Sequence, residues 1–309
     1  MRKKVLVILG PTATGKSHCA VEIAKKIGGE IISGDSMLVY RGMNIGTAKP
    51  SADELREVPH HLVNILPPEA EFNVVDFKNQ AERLITEITD RGKLPIIAGG
   101  TGLYIKALLE NYTFNKADKV SAVRQELEEF LQSQGKEALY ERLCRLDQKA
   151  AANIHMNNTR RVIRAIESAL QGETVSQSNS GELVYDALVF GLNMQRDVLY
   201  QRINERVDVM LQQGLEAEVR QLLQQGVPAA CQSMQSIGYR QMVWYLQGDM
   251  TYEQAVDKLK QATRNFAKRQ LTWFRKMPYI NWLQLEMQPD YPAVITAMCA
   301  KINERFLVR

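Results

Sequence analysis

The sequence has little cysteine and little histidine, and neither is arranged for metal binding or cross-linking. No two of its four cysteines have the C-x-x-C spacing, and none of its four histidines stands at metal-ligand spacing from a cysteine. A disulfide framework and a zinc knuckle both need such spacing, so the sequence gives no indication of either. The cysteines are at positions 19, 144, 231 and 299, and the histidines are at 18, 60, 61 and 155.

Long apolar runs are also absent from the 309 residues. No stretch approaches the roughly 20 apolar residues that span a bilayer, so we expect no membrane partner. A basic start followed by apolar residues resembles a signal peptide, but here the apolar run ends at once in a glycine-rich loop that cleavage would destroy. We therefore expect a cytoplasmic protein. Its net charge of +4 permits an anionic partner without requiring one.

The strongest local signal is a loop at residues 10–17 that fits the phosphate-binding pattern G-x-x-x-x-G-K-[ST]. The apolar run at 4–9 predicts a buried parallel strand, and residues 18–26 repeat apolar side chains at helical spacing. Because this motif binds phosphate between a strand and a helix, we expect a bound di- or triphosphate. The loop consists of Gly10, Pro11, Thr12, Ala13, Thr14, Gly15, Lys16 and Ser17.

The residue types in this loop suit phosphate binding. Gly10 and Gly15 let the backbone turn tightly, so that its N–H groups can approach phosphate oxygens beside the positive end of the helix dipole. Lys16 supplies a positive charge, and the hydroxyl of Ser17 is a candidate ligand for Mg²⁺. We therefore predict Mg²⁺ as the cofactor.

Two other strand ends are expected beside the loop, because parallel sheets bind ligands at the carboxyl ends of their strands. The predicted strand at 30–33 leads to Asp35, whose carboxylate could hold Mg²⁺ through water or accept a proton; capping the next helix is the alternative. The predicted strand at 94–98 leads through two glycines to Thr101. A hydroxyl there can donate to a leaving oxygen, whereas many P-loop hydrolases have an acidic residue, so an ATPase is disfavoured.

The order of elements predicts an α/β fold, with a P-loop NTPase-like parallel sheet flanked by helices. Between the sheet segments the sequence becomes rich in Glu, Gln, Lys and Arg at helical spacing, then forms a polar loop at 172–181. We predict a core of residues 1–114 and 188–309 that ends in helices, with a small all-helical domain inserted at 115–187. Further strands are predicted at 59–65 and 185–192, and helices at 73–91, 120–134 and 136–146.

Arginines cluster in the inserted segment. In a helix, Arg164 lies on the same side as Arg160 and Arg161, three and four residues back. Their guanidinium groups match phosphate geometry, although a solvated helix face is the commoner fate of such a pattern.

A second basic segment lies at 258–276, where no acidic residue occurs and aromatic residues interleave with cations. Phe266 and Trp273 are predicted to share the core face of a helix. The cations point outward and could bind a nucleic-acid backbone. They are Lys268, Arg269, Arg275 and Lys276.

The stretch between the predicted strand at 185–192 and the basic segment at 258–276 adds two groups of candidates. Gly238-Tyr239-Arg240 combines a flexible backbone, an aromatic ring that could stack on a base and a cation that could bind phosphate; a glycine at a helix start is the alternative. Arg202 and Arg206 follow the strand at 185–192.

Three motifs in order resemble those of the tRNA dimethylallyltransferases, also called tRNA isopentenyltransferases. They are GPTATGKS at 10–17, DSMLVY at 35–40 and GGTGLY at 99–104. The segment IGYRQ at 237–241 and the basic helix extend the resemblance over nearly the whole chain, in the compact bacterial form. Leu38 departs from the family pattern, which usually has glutamine there, and this affects one polar contact to the target base.

The resemblance implies transfer of a dimethylallyl group from dimethylallyl diphosphate to N6 of adenosine 37 in a tRNA, by a protein expected to be a monomer. Asp35 would be the base, while Lys16, Mg²⁺, the loop amides and Thr101 would stabilise the leaving diphosphate, which Arg202 or Arg206 helps to hold. The inserted domain would grip the anticodon stem-loop. The implied tRNA-binding residues are Asp35, Ser36, Met37, Leu38, Thr101, Arg124, Arg160, Arg161, Arg164, Gly238, Tyr239, Arg240, Lys268 and Arg269.

Two other functions remain open from the residues alone. A P-loop kinase acting on a small metabolite would explain the phosphate loop and Asp35, but not the basic helix or the inserted arginines. A nucleic-acid-binding NTPase without group transfer would explain the loop and the cations.

Overall fold

The computed structural model describes residues 2–110, 112, 122–170 and 182–307. Within these ranges, six parallel strands form one sheet in the order β3-β2-β4-β1-β5-β6. The predicted α/β fold with a P-loop type of parallel sheet is therefore confirmed. The strands are β1 Lys4–Leu9, β2 Glu30–Ser33, β3 His60–His61, β4 Pro95–Gly99, β5 Asp186–Met194 and β6 Ile280–Leu285.

Helices cover both faces of the sheet because its central strands are apolar on both sides. In β1, Val5, Val7 and Leu9 belong to one buried cluster, and the alternate residues Leu6 and Ile8 belong to the other. The helices around this sheet are α1 Lys16–Ile27, α2 Ala52–Glu57, α3 Val74–Asp90, α4 Gly102–Leu109, α8 Arg196–Gln212, α9 Leu215–Gln224, α10 Tyr239–Leu246, α11 Tyr252–Phe274 and α12 Tyr291–Ile302, and a π-helical turn, Asn303–Leu307, follows the last of them.

The central strands end together at the carboxyl-terminal side of the sheet, where the phosphate loop follows β1. Leu9, the last residue of β1, pairs with Gly99 at the end of β4 and with Gly191 in β5. The backbone approach between neighbouring strand ends is close, since a Cβ on Gly99 would lie 2.3 Å from the carbonyl carbon of Gly34. Residues that follow β1, β2 and β4 are thereby brought together.

The chain divides into two compact units, Met1–Glu110 with Glu182–Arg309, and Asn111–Gly181. The second unit contains α5 Ala122–Leu146, α6 Gln148–Asn153 and α7 Thr159–Leu170. Gly135, at φ +82°, interrupts α5 between the two helices predicted there. Leu127, Leu143 and Ile166 are fully buried in the apolar cluster of this unit.

The predicted end of the inserted segment at residue 187 is wrong, because the chain rejoins the core earlier. The Val184 N–H donates to the Leu109 carbonyl at 3.0 Å, and Asp186 is already paired with Lys4 in the sheet. The predicted loop at 172–181 and the predicted helix start at 120 lie outside the described residues.

Two strand predictions differ from the structure. The strand predicted at 59–65 pairs only at His60–His61, since Leu62 and Asn64 have positive φ values of 60° and 56° that end the extended backbone. The strand β6 was not predicted; its short segment lies at the edge of the sheet and alternates in burial.

In the described ranges, no helix combines the length and the apolar character needed to cross a bilayer.

Candidate active site

The phosphate loop connects β1 to α1 in the conformation that its glycines permit. Gly10 has φ +154°, and a Cβ there would lie 2.6 Å from the Leu192 carbonyl oxygen. Gly15 has φ +78° and immediately precedes α1, which begins at Lys16. Side chains at these two positions would disturb the loop, so the predicted need for glycine is explained by φ and by close contact.

Three side chains donate hydrogen bonds to carbonyl groups of the loop, two from outside it and one from within it. Arg202 Nε donates to the Ala13 carbonyl at 3.1 Å, and Arg202 Nη2 donates to the Tyr291 hydroxyl at 3.2 Å. The Tyr291 hydroxyl in turn donates to the Thr14 carbonyl at 3.3 Å, and the Thr14 hydroxyl donates to the Pro11 carbonyl at 2.8 Å. Arg202 therefore supports the loop backbone. No motif in the sequence pointed to Tyr291 in this role.

Gln270 supports the loop from α11. Its Oε1 accepts the Thr12 N–H at 3.0 Å, and its Nε2 donates to the Gly100 carbonyl at 2.9 Å. The side chain is only 4 % exposed, and its bond to Gly100 is buried while its bond from Thr12 is partly buried. Sequence reasoning missed this residue because it stands within a stretch dominated by cations.

The residues after β2 and β4 are linked to each other. The Ser36 N–H donates to the Thr101 hydroxyl oxygen at 3.2 Å, and the Met37 N–H donates to Asp35 Oδ1 at 2.9 Å. Asp35 therefore caps a turn and not the helix that was weighed as its alternative role, because no helix follows it directly, and it uses only one of its two oxygens. A hydroxyl that accepts one bond, as Thr101 does, retains a proton to donate.

Two cations and one carboxylate set the electrostatics of the site. Burial and the positive charge of Arg206 lower the pKa of Lys16 to about 8, against the opposing effect of the Asp35 carboxylate. Burial also lowers the pKa of Arg206, and Asp35 opposes that shift as well. An anionic ligand stabilises the charged form of such crowded, partly desolvated cations.

A cavity of about 370 Å³ in the first unit opens onto Asp35 and Arg206. Its polar lining includes Thr12 of the phosphate loop, Asp35 and Arg206. Its walls also contain apolar side chains, further cations and several hydroxyl and amide groups, so one space presents phosphate-binding, proton-accepting and apolar surfaces. The other lining residues are Ser36, Met37, Gly46, Thr47, Ile203, Val207, Met210, Gln235, Ser236, Ile237, Gly238, Arg240, Leu259, Thr263, Phe266 and Arg269.

Besides Asp35, Ser36 and Met37, three predicted nucleic-acid contacts line this cavity: Gly238, Arg240 and Arg269. The Arg240 guanidinium lies 5.2 Å from the centre of the Trp244 ring, and its Nε is buried without a hydrogen-bond partner in the described structure. The Arg269 guanidinium lies 5.8 Å from the centre of the Phe266 ring. Gly238, at φ +99°, precedes α10 and lies in the cavity wall.

Two predictions about aromatic residues are wrong. Tyr239 is fully buried, and its hydroxyl donates to Glu218 at 2.6 Å, so its ring packs in the core instead of stacking on a base. Phe266 and Trp273 do not form the core face of α11, because both are only half-buried. The buried residues of α11 are Ala255, Leu259, Ala267, Gln270 and Phe274.

The arginines of the second unit have different surroundings. Arg160, Arg161 and Arg164 are exposed on α7, whose opposite face buries Val162 and Ile166. Arg124 instead donates through Nη2 to Glu167 Oε2 at 2.7 Å, and the Glu167 side chain is 6 % exposed. Of the remaining predicted residues, Ser17 and Lys268 are exposed, and Leu38 is half-buried.

Among the residues that the structure describes, no group of three or more His, Cys, Asp or Glu side chains is placed to hold a metal ion. The exposed Ser17 hydroxyl at the start of α1 suits a cation that takes its other ligands from water and from an oxygen-rich anion, as Mg²⁺ does.

The parallel sheet, the loop after β1 and the cavity at the strand ends define a phosphate-binding P-loop protein. Within that class, the family model for IPP transferase matches residues 38–277, so the chain belongs to the IPP transferase family. This confirms the family resemblance seen in the motifs.

Curated relatives are similar over nearly the full chain. The tRNA dimethylallyltransferase of Halalkalibacterium halodurans is 48 % identical over 290 residues, covering 92 % of each chain. That of Bacillus subtilis is 46 % identical over 310 residues, covering 98 % of each chain.

Solved structures agree in fold. The full-length tRNA isopentenylpyrophosphate transferase from Bacillus halodurans has a TM-score of 0.73 at 45 % identity, with 98 % of each chain covered. A eukaryotic dimethylallyltransferase acting on tRNA has a TM-score of 0.77 at 28 % identity, covering 98 % of this chain and 80 % of that one.

Proposed function

We propose that the protein transfers a dimethylallyl group from dimethylallyl diphosphate to N6 of adenosine 37 in tRNA. The observation that carries this proposal is that one cavity is lined by the phosphate-loop residue Thr12, by Asp35 and Arg206, and by apolar side chains. Transfer of a short apolar group from a diphosphate to an amine needs cations for the diphosphate, apolar side chains for the chain and a proton acceptor for the amine. The names of the curated relatives support the choice of tRNA as acceptor.

The diphosphate binds at the loop between β1 and α1. Loop N–H groups and the start of α1 face its oxygens, and Lys16 and Arg206 supply positive charge. The Ser17 hydroxyl would be the protein ligand of Mg²⁺. The ion, when bound, neutralises charge on the leaving group.

The dimethylallyl chain lies against the apolar part of the cavity, which Val207, Met210 and Leu259 provide. Exclusion of water there protects the allylic carbon from hydrolysis while its bond to oxygen breaks.

Asp35 acts as the base. The exocyclic amine of adenine is a weak nucleophile, because its lone pair is delocalised into the ring. The Met37 N–H fixes Asp35 Oδ1, which orients the carboxylate so that Oδ2 can take the N6 proton as nitrogen bonds to the allylic carbon. The carbon–oxygen bond breaks with its electron pair going to the diphosphate, and Thr101 donates a hydrogen bond to that developing charge.

The tRNA is held by arginines and lysines on both units, and the target adenine leaves its stack to enter the cavity. The exposed arginines of α7 contact the backbone of the anticodon stem-loop. Ser36, Met37 and Leu38 lie after β2 beside Asp35 and contact the base. Arg124, Gly238, Arg240, Lys268 and Arg269 complete the proposed RNA contacts. Every group in this scheme comes from one chain, which we propose acts as a monomer in the cytoplasm.

The test is to incubate the purified protein with Mg²⁺, labelled dimethylallyl diphosphate and unmodified tRNA, and to identify the modified nucleoside by mass spectrometry. We expect label at N6 of adenosine 37. A parallel reaction with ATP and small acceptors tests the kinase, and phosphate release from ATP stimulated by RNA tests the NTPase. Either activity without prenylated tRNA would overturn the proposal.

A further inference from the structure

One buried polar side chain in α11 is not explained by RNA contact. Gln270 is 4 % exposed, although its neighbours Lys268 and Arg269 are exposed and can contact RNA. A buried amide costs free energy unless both its donor and its acceptor are satisfied, so its position indicates specific partners.

The partners of Gln270 are the two backbone segments that surround the diphosphate site. Its Oε1 accepts the N–H of Thr12, in the phosphate loop, and its Nε2 donates to the carbonyl of Gly100, which precedes Thr101. Because one partner can only donate and the other can only accept, the orientation of the amide is fixed. The fit is tight, since a Cβ on Gly100 would lie 2.2 Å from Nε2.

We infer that Gln270 is a positioning residue for diphosphate binding and departure. Its amide holds the phosphate loop and the end of β4 at a set separation, and so fixes the loop amides relative to the Thr101 hydroxyl. Because α11 also carries Lys268 and Arg269, the same helix joins the proposed RNA contacts to the diphosphate site. The inference rests on the proposed function.

The test uses the variant Gln270→Met, which keeps the length of the side chain but neither hydrogen bond. Its matched control is Gln261→Met, at an exposed position of the same helix. Binding of inorganic diphosphate with Mg²⁺ is measured by calorimetry, binding of tRNA by filter retention, and kcat and KM with dimethylallyl diphosphate by label transfer.

We expect Gln270→Met to bind diphosphate about tenfold more weakly, the size expected for two lost buried hydrogen bonds. Its kcat should fall while its affinity for tRNA stays that of the wild type, and Gln261→Met should match the wild type throughout. A merely structural role would lower the folded fraction without changing diphosphate affinity per folded molecule.

A second variant keeps the inference testable if Gln270→Met does not fold. Gly100→Ala pushes on the same amide from the other side, so it should weaken diphosphate binding, and its effect should be smaller in the Gln270→Met background where that is folded. Wild-type affinity for diphosphate in Gln270→Met, or in Gly100→Ala, overturns the inference. Wild-type protein that binds diphosphate but leaves tRNA unprenylated overturns the proposed function alone.

Discussion

The Tyr239 hydroxyl and the Glu218 carboxylate form a 2.6 Å hydrogen bond beneath the wall of the cavity that contains Asp35. The same carboxylate accepts the N–H groups of Asn44, Ile45 and Gly46 at distances from 2.9 to 3.3 Å. Because Gly46 lines the cavity, Glu218 fixes the backbone of that wall.

Glu218→Gln should therefore destabilise the protein. An amide presents N–H donors toward backbone N–H donors, so some of these groups lose their acceptor, and we expect a loss of about 1–3 kcal/mol in the free energy of unfolding. Glu216→Gln, in the same helix, removes only a surface pair with Arg220 and should cost less than about 0.5 kcal/mol. Urea denaturation measures both, and equal losses would contradict the role of Glu218.

The variant Asp35→Asn tests whether Asp35 is the base that takes the N6 proton. The side-chain carbonyl of asparagine can still accept the Met37 N–H, so the turn is kept, but the side chain cannot take a proton. We expect kcat for prenyl transfer to fall by about 10²–10⁴, the usual contribution of a general base, with tRNA affinity unchanged. Single-turnover label transfer and tRNA binding measure the two effects. Loss of tRNA binding with kcat retained would remove Asp35 from this role.

The parts of the site that follow from neighbouring strands could be predicted from sequence. The loop at 10–17, Asp35 and Thr101 each follow a recognisable apolar strand, and parallel pairing brings such strand ends together. Their positions were therefore foreseeable, while their roles stay predictions.

Contacts between distant segments could not be predicted in this way. Gln270 and Thr12 are 258 positions apart, and Arg202 and Tyr291 are 89 apart. Periodicity shows which face of a helix is apolar but not what that face meets. In α11 the periodicity predicted that the large rings of Phe266 and Trp273 form the core face. The structure instead buries the small Ala267 and the polar Gln270 there, because the helix packs closely against the site.

Lys16 predicts a pH dependence of diphosphate binding. Its pKa of about 8 in the free protein means that its charge is progressively lost as the pH rises through that value, and a bound anion raises the pKa again. Diphosphate affinity should thus decrease above pH 8, by up to about tenfold per pH unit, with proton uptake on binding. Lys16→Arg stays charged across this range, so calorimetry should show a flatter profile. Identical profiles for the two proteins would contradict the role of Lys16.

The stability of the fold should be sensitive to acid because of Glu30, at the amino-terminal end of β2. Burial alone would raise its pKa, but bonds from His61, Lys93 and Arg91 outweigh burial and lower the pKa to about 2. The carboxylate therefore stabilises the fold by about 2–3 kcal/mol above its unfolded pKa, and this is lost as the pH falls toward 2. Glu30→Gln should unfold more easily at pH 7, with the difference from the wild type shrinking below pH 4.5. A constant difference across this range would exclude the ion cluster as the cause.

The salt dependence of tRNA binding tests whether Arg164, in the second unit, neutralises a tRNA phosphate. If its guanidinium neutralises one tRNA phosphate, Arg164→Ala should reduce the slope of log affinity against log salt by about 0.7–0.9, because fewer counterions are released. Arg145→Ala removes an equally charged side chain that is 81 % exposed on α5, outside the arginine face of α7. The comparison separates a specific contact from the general effect of net charge, since both variants lose one positive charge. A common slope for the two variants would mean that the α7 arginines form a solvated face, and the RNA contacts would then have to come from α10 and α11.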